Sequence, residues 1–308
     1  MTIGIDIGGT TTKIGIVEEG RVRSTIRIAT LAEDEPGAPA GSAFADAIAE
    51  AVRQLAPGTI DRIGVGVPNG NPFTGSIDRA PNLPWKSEIP LARMLSERLS
   101  APCRLGNDAN AAALGEWRYG AGIGTNDLLV VTLGTGLGSG FIIDGRLLLG
   151  PHGNGGELGH TIAIMDGRTC TCGRKGCLET YVSIRGIRQT YLELADNSLL
   201  LKEPGVKPIA DAARAGDDAA VQTFKDTARW LGTALANAVA FSVPERIVLF
   251  GGIARNGEVL FAPLRKEFAA ALLYIYEGKV ALMASALPED DAGILGAAAM
   301  ASEPDLQR

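Results

Sequence analysis

The sequence predicts an α/β protein of two domains made by duplicating one α/β unit. The length, 308 residues, suits two domains at roughly 100–200 residues each. Strand-like runs alternate with helical stretches along the whole chain. Each half also opens alike, with a strand, a Gly/Thr turn and a returning strand. Ile5-Asp6-Ile7-Gly8-Gly9-Thr10 matches Val131-Thr132-Leu133-Gly134-Thr135-Gly136 in layout, and self-similarity over a long interval signals duplication. The two turns are expected to face each other across a cleft.

In chain order, Ile3, Ile5, Ile7, then Ile14 and Ile16, then Val22, Ile26 and Ile28 alternate with period two. Gly8-Gly9-Thr10 and Glu19-Gly20 punctuate them, so a three-stranded antiparallel meander is expected. A Pro/Gly/Ala-rich loop at 36–41 leads to a helix over 42–55, a strand over 60–67 and a turn at Pro68-Asn69-Gly70. A helix over 91–99 and a strand over 103–105 precede a helix that starts at Asp108. The second half begins with a buried strand, 128–133, and a returning strand, 138–143. Asp144-Gly145 is a favoured two-residue hairpin turn, leading to a strand at 146–149. An irregular stretch reaches Leu178. Helices follow over 179–194, 207–215 and 217–241, with a loop at 197–207, then a strand at 246–250, Gly251-Gly252, a helix, a strand at 279–283 and a helix over 291–301.

Composition removes several function classes. Net charge is −6, which argues against a nucleic-acid scaffold or a polybasic membrane binder. Aromatics are only 5%, too few for a base-stacking platform. The longest uncharged run, 128–143, is shorter than the ~20 apolar residues of a spanning helix. The first residues read as a strand rather than a secretory leader. A soluble, cytoplasmic protein with no nucleic-acid or membrane partner is expected. Glycine is abundant, 40 of 308 residues, nearly twice the usual share of about 7%, and belongs in tight turns and in loops that approach a ligand closely.

Two familiar nucleotide motifs are missing. There is no Gly-x-x-x-x-Gly-Lys-Ser/Thr, and the Gly134, Gly136, Gly138, Gly140 run is followed by a strand, unlike a dinucleotide fingerprint. The glycine turns nevertheless have the chemistry of polyphosphate binding. Backbone N–H groups and Thr hydroxyls donate, Lys13 adds a cation, and Asp6 is a carboxylate suited to organising Mg²⁺. The alternative is an ordinary hairpin with permissive turn residues. Of four cysteines, Cys103 stands apart. Cys170-Thr171-Cys172-Gly173-Arg174-Lys175-Gly176-Cys177 together with His160 forms a Cys₃His set suited to tetrahedral, structural Zn²⁺; the alternative is buried thiols acting as small hydrophobes. Asp108, in Leu105-Gly106-Asn107-Asp108, is either a helix cap or a general base at a strand end. Glu157 and Glu179 flank the cysteine loop, as ligand readers or as solvated acids. Asn82, between two prolines, usually means a turn.

These motifs, in this order, resemble the ROK family (repressors, open reading frames, kinases). Asp6-Ile7-Gly8-Gly9-Thr10 is similar to its first phosphate loop and Leu133-Gly134-Thr135-Gly136-Leu137-Gly138-Ser139-Gly140 to its second. Gly156-Glu157-Leu158-Gly159-His160 with the cysteine run and Leu178-Glu179 is similar to its sugar and zinc signature. Val67-Pro68-Asn69-Gly70-Asn71 and Pro81-Asn82-Leu83-Pro84-Trp85 resemble the family's bacterial glucokinases. The resemblance implies an actin-like (ribonuclease H-like) two-domain fold with an interdomain cleft. Residues 1–118 and a C-terminal helix at about 290–308 would form the smaller domain, and 119–289 the larger one with the zinc knuckle. It implies ATP-dependent phosphorylation of a hexose 6-hydroxyl, glucose first, with mannose, allose or N-acetylglucosamine as alternatives, by a homodimer. Asp108 would be the base. Asn82, Asn107, Glu157, His160 and Glu179 would bind sugar. Asp6, Gly8, Gly9, Thr10, Lys13, Gly134, Thr135, Gly136, Gly251 and Gly252 would bind ATP with Mg²⁺. His160, Cys170, Cys172 and Cys177 would hold Zn²⁺. Two departures stand out: the turn after Pro68 is longer than usual, and Gly251-Gly252-Ile253 replaces a triple glycine. A non-catalytic sugar-binding regulator of the same family is the rival; such proteins place a DNA-binding segment before the first glycine turn, and here Asp6 is already the sixth residue.

Overall fold

The computed structural model describes residues 1–30, 34, 37–80, 83–85, 87–195 and 202–303. Its elements begin with β1 (Thr2–Ile7), β2 (Thr11–Glu18), β3 (Arg21–Ala29), α1 (Ser42–Leu55), β4 (Arg62–Val67), β5 (Gly70–Asn71) and β6 (Ser76–Ile77). Then come α2 (Leu91–Leu99), β7 (Cys103–Asn107), α3 (Asp108–Tyr119), β8 (Leu128–Leu133), β9 (Leu137–Ile143) and β10 (Arg146–Leu147). The chain continues through α4 (Glu179–Val182), α5 (Ile184–Leu194), α6 (Lys207–Arg214), α7 (Asp218–Ser242) and β11 (Arg246–Phe250). It closes with α8 (Glu258–Ala271), β12 (Ala281–Ala284) and α9 (Glu289–Ala301). The chain divides into two compact units, Met1–Gly124 with Gly145–Gly155 and Ala286–Arg308, and Thr125–Asp144 with Gly156–Ser285.

In the first unit the sheet order is β3-β2-β1-β4-β7, with β1 and β2 antiparallel and β4 and β7 parallel to β1. The outermost strand, β3, alternates exposed and half-buried residues, whereas β4 is buried beyond its first residue, the difference between an edge and a covered central strand. Phe44, Ile48 and Val52 recur every fourth residue on α1 and are fully buried, giving the helix the apolar stripe that seats it on the core. In the second unit the run β9-β8-β11-β12 repeats that topology, β9 antiparallel to β8 and β11 and β12 parallel. Each unit encloses its own apolar core.

Several sequence expectations need correction. The helix over 179–194 is broken: Ser183, extended at ψ 169°, ends α4 and caps α5 through Gly186 N–H. The strand over 146–149 shrinks to Arg146–Leu147, although Asp144 and Gly145 take the left-handed φ values of the expected turn. The strand at 103–105 extends to Asn107, and that at 279–283 becomes Ala281–Ala284. The irregular stretch contains a 3₁₀ turn at Leu158–His160. Of the loop at 197–207, residues 197–201 lie outside the described residues. Among the described residues no helix is long and apolar enough to cross a membrane.

Candidate active site and metal centre

The parallel register places Asp6 of β1 opposite Gly66 of β4, and Gly66 opposite Gly106 of β7. Asp6 and Asp108 therefore collect at the carboxyl ends of β1 and β7, the two strands that flank β4, where open α/β sheets bind ligands. The cap of α3 is Asn107, not Asp108: Asn107 Oδ1 accepts from Ala109 N–H at 2.8 Å. Asp108 is the first helical residue, and its Oδ1 accepts from the same N–H at 2.9 Å. Its side chain remains accessible, yet the protein packed around it limits hydration and raises its carboxyl above the ordinary range, against the pull of the backbone N–H. Burial also raises Asp6, to about 6, with the Asp108 charge adding and Lys13 opposing. Lys13 lies across from Asp6 on β2 and 3.8 Å from Asp290. Asp6 sits so close to α9 that a Cβ on Gly293 would fall 2.1 Å from its Oδ2.

The first glycine turn is closed by Gly8 N–H to Thr11 O at 3.0 Å, leaving Gly9 and Thr10 exposed. In the second unit Gly134 N–H donates to Gly136 O at 3.0 Å, and Thr135 is exposed. Gly251 packs on the end of β8, where a Cβ would lie 2.5 Å from Leu133 O. Gly134 and Gly252 differ: neither has a positive φ, and a Cβ on either would meet nothing within 4 Å. Neither backbone conformation nor packing requires glycine there, and both positions leave the main chain open to close approach.

The metal-ligand set predicted from sequence is assembled. Ligand atoms of His160, Cys170, Cys172 and Cys177 all lie within 4.8 Å of one another. Cys170 Sγ is 3.8 Å from His160 Nδ1, and Cys172 Sγ is 3.6 Å from Cys177 Sγ. A tetrahedral ion with bonds of about 2.3 Å to sulfur and 2.0–2.1 Å to nitrogen spaces its ligands at about 3.6–3.8 Å, so the four residues fit Zn²⁺. The Arg174 backbone N–H lowers the Cys172 thiol, whereas burial raises Cys177. Arg174 also donates to the His160 carbonyl, folding the knuckle over the 3₁₀ turn.

Glu157 precedes that 3₁₀ turn and is exposed. Glu179 opens α4 directly after the knuckle, half-buried, and its Oε2 accepts from Leu137 N–H at 3.0 Å. Asn82 lies outside the described residues. Two supporting residues escape sequence reading. Ser139 bonds the Gly156 carbonyl and accepts from Leu158 N–H at 3.1 Å, pinning the segment before His160 to β9. Arg168 donates to Thr180 O, Gly186 O, Thr190 Oγ1 and Glu193, and stacks 4.7 Å from the Tyr181 ring centre, tying the knuckle to α5. A Ser in an alternating strand is a weak signal, and an Arg in an irregular stretch is none. A cleft of about 570 Å³ beside α7 and α8, lined by Gln222, Lys225, Arg229 and Lys266 among others, includes none of the predicted site residues.

The ROK family model matches residues 2–304. The chain belongs to the ROK family. It is 36% identical to a glucokinase of Streptomyces coelicolor, over 99% of this chain and 98% of that protein. It is 37% identical to a glucokinase of Thermotoga maritima, over 98% and 97%. The crystal structure of a ROK family glucokinase from Streptomyces griseus in complex with glucose and AMPPNP superposes with a TM-score of 0.81 at 36% identity, covering 97% of this chain and 98% of that one. The ROK chain accordingly has the actin-like two-domain fold of these sugar kinases.

Proposed function

We propose that this ROK protein is an ATP-dependent hexokinase that transfers the γ-phosphoryl group of ATP to the 6-hydroxyl of glucose. The observation that carries the reading is the accessible Asp108 carboxylate at a strand end, raised in pKa and beside Asp6, in a chain 36–37% identical to glucokinases along nearly its full length. Phosphoryl transfer asks a protein chiefly for positioning and charge neutralisation, with one group to take the hydroxyl proton. Asp108 is that base: it accepts the 6-hydroxyl proton as the new O–P bond forms and the γ-phosphorus–oxygen bond to ADP breaks.

Asn82, Asn107, Glu157, His160 and Glu179 read the remaining sugar hydroxyls, and a site built on such hydrogen bonds rejects molecules that lack them. With His160 Nδ1 turned toward Cys170, Nε2 is left for a hydroxyl. Gly8, Gly9, Thr10, Lys13, Gly134, Thr135, Gly136, Gly251 and Gly252 approach the nucleotide. Asp6 would hold Mg²⁺, which neutralises phosphate charge when bound. His160, Cys170, Cys172 and Cys177 hold a structural Zn²⁺, expected at about one per chain. A cytoplasmic homodimer completes the reading, dimers being the commonest symmetric assembly.

A coupled ADP-release assay over a hexose panel tests this, with polyphosphate as an alternative donor. ADP release is expected to require ATP and to be fastest with glucose. Release without any hexose, or with none of them, overturns the kinase; a faster epimer or N-acetylhexosamine overturns glucose alone.

A further inference from the structure

We propose that Glu179 is a positioning residue for the second glycine turn, through which the metal knuckle braces the nucleotide site as well as the sugar site. This rests on the reading of Gly134–Gly136 as a nucleotide turn. Glu179 follows Cys177 and Leu178 directly, so its backbone is fixed by the knuckle. Its two carboxylate oxygens serve different elements. Oε2 accepts from Leu137 N–H at 3.0 Å, on the exit side of the turn, while Oε1 lies 3.8 Å from Cys170 Sγ. The other end of the α4 segment reaches the entry side, where Ile184 N–H donates to Gly134 O at 2.9 Å. The break between α4 and α5 frees that N–H for the purpose, and the short α4 becomes a strap fastened to both ends of the turn. Gly136 completes the fit, since a Cβ there would meet Glu179 Oε2 at 2.4 Å.

The chemistry separates this role from simple sugar binding. A carboxylate behind an anion-binding turn does not attract phosphate, so its contribution to ATP binding is geometric. It occupies the Leu137 N–H and holds the turn in shape. Without an acceptor that N–H loses its partner and the turn loses its floor, at a cost typical of an unsatisfied partly buried donor.

The test is calorimetric titration with AMPPNP and Mg²⁺ in the absence of sugar, on the full zinc-loaded chain, with zinc content and melting temperature as folding controls. Glu179→Gln keeps an oxygen for Leu137 and drops the charge, so AMPPNP affinity should stay within about threefold of the parent. Glu179→Ala removes the acceptor and Glu179→Asp withdraws it by one methylene; both should weaken AMPPNP by about tenfold. Glucose affinity measured separately should fall in all three. AMPPNP binding within twofold of the parent in both Glu179→Ala and Glu179→Asp would overturn the brace and leave a sugar contact only. A loss in Glu179→Gln equal to that in Glu179→Ala, with Glu179→Asp within twofold of the parent, would overturn it in favour of charge. Absence of AMPPNP binding by the parent would instead reject the nucleotide reading on which the brace depends.

Discussion

At the residue scale, Asp108 decides between two chemistries that the sequence leaves open. The cap is supplied by Asn107, so Asp108 is free of the task that would otherwise explain an acid at this junction. Asp108→Asn should fold normally, keep measurable glucose binding and lose at least about a hundredfold in kcat, the usual contribution of a general base. The pH dependence has a definite sign. Because the folded protein raises the Asp108 pKa, the stability tied to its protonated form is present below the unfolded value of about 3.9 and lost as pH rises through the folded value. At neutral pH the asparagine variant should therefore melt no lower than the parent. Turnover runs the other way, since a base acts only when deprotonated. The parent's acid limb in kcat should lie above the ordinary carboxylate range, and the residual activity of Asp108→Asn should lack that limb. A kcat within a few-fold of the parent's would remove the base assignment.

At the element scale, what the sequence displayed was periodicity and turn chemistry. The bounds of α1, α2, β8 and β11 are those read from the sequence, because each is an apolar stripe or run closed by clear punctuation. The break at Ser183 was hidden because residues 179–194 keep a helical composition across it; what ends α4 is bonding to another element, the Ile184 N–H claimed by Gly134 O. The placement of α9 was hidden for a similar reason. Rich in Ala and Gly and buried from Ile294 to Ala301, it has no polar face to betray its orientation. The structure shows that Gly4 and Gly64, unremarkable in alternating strands, exist for it: a Cβ at Gly4 would lie 2.2 Å from Ile294 O, and at Gly64 1.8 Å from Ala297 O. This close approach sets the helix that crowds Asp6 through Gly293, so it reaches the candidate site. Gly64→Ala must push α9 off the sheet, an overpacking cost of about 3 kcal/mol or more. Denaturant titration should show that loss, together with weaker AMPPNP binding. An unchanged midpoint would mean that α9 is not docked as described.

At the scale of the whole molecule, stability is divided. The two units have separate apolar cores, one drawn from residues of the first unit and one from 129–268, and the Cys₃His knuckle belongs only to the second. Binding free energy of a structural metal is folding free energy for whatever it organises, and among the described residues the knuckle is bonded to neighbours in its own unit. Cys177 O accepts from Thr180 N–H, Leu178 N–H donates to Thr161 O, Glu179 reaches Leu137, and Arg168 fastens the loop to α5. Chelation under reducing conditions should therefore act on one unit. Amide exchange is expected to accelerate over residues 158–190 and the turn at 134–137, while β1, β4 and β7 keep their protection, because local opening follows cooperative units rather than the chain as a whole. Thermal unfolding should shift in one transition and leave the other in place, a departure from two-state behaviour that proteins of two cores often show. Uniform loss of protection across both sheets would show that the metal holds the entire molecule. Exchange unchanged at 134–137 while the knuckle opens would show that the glycine turn stands without its brace.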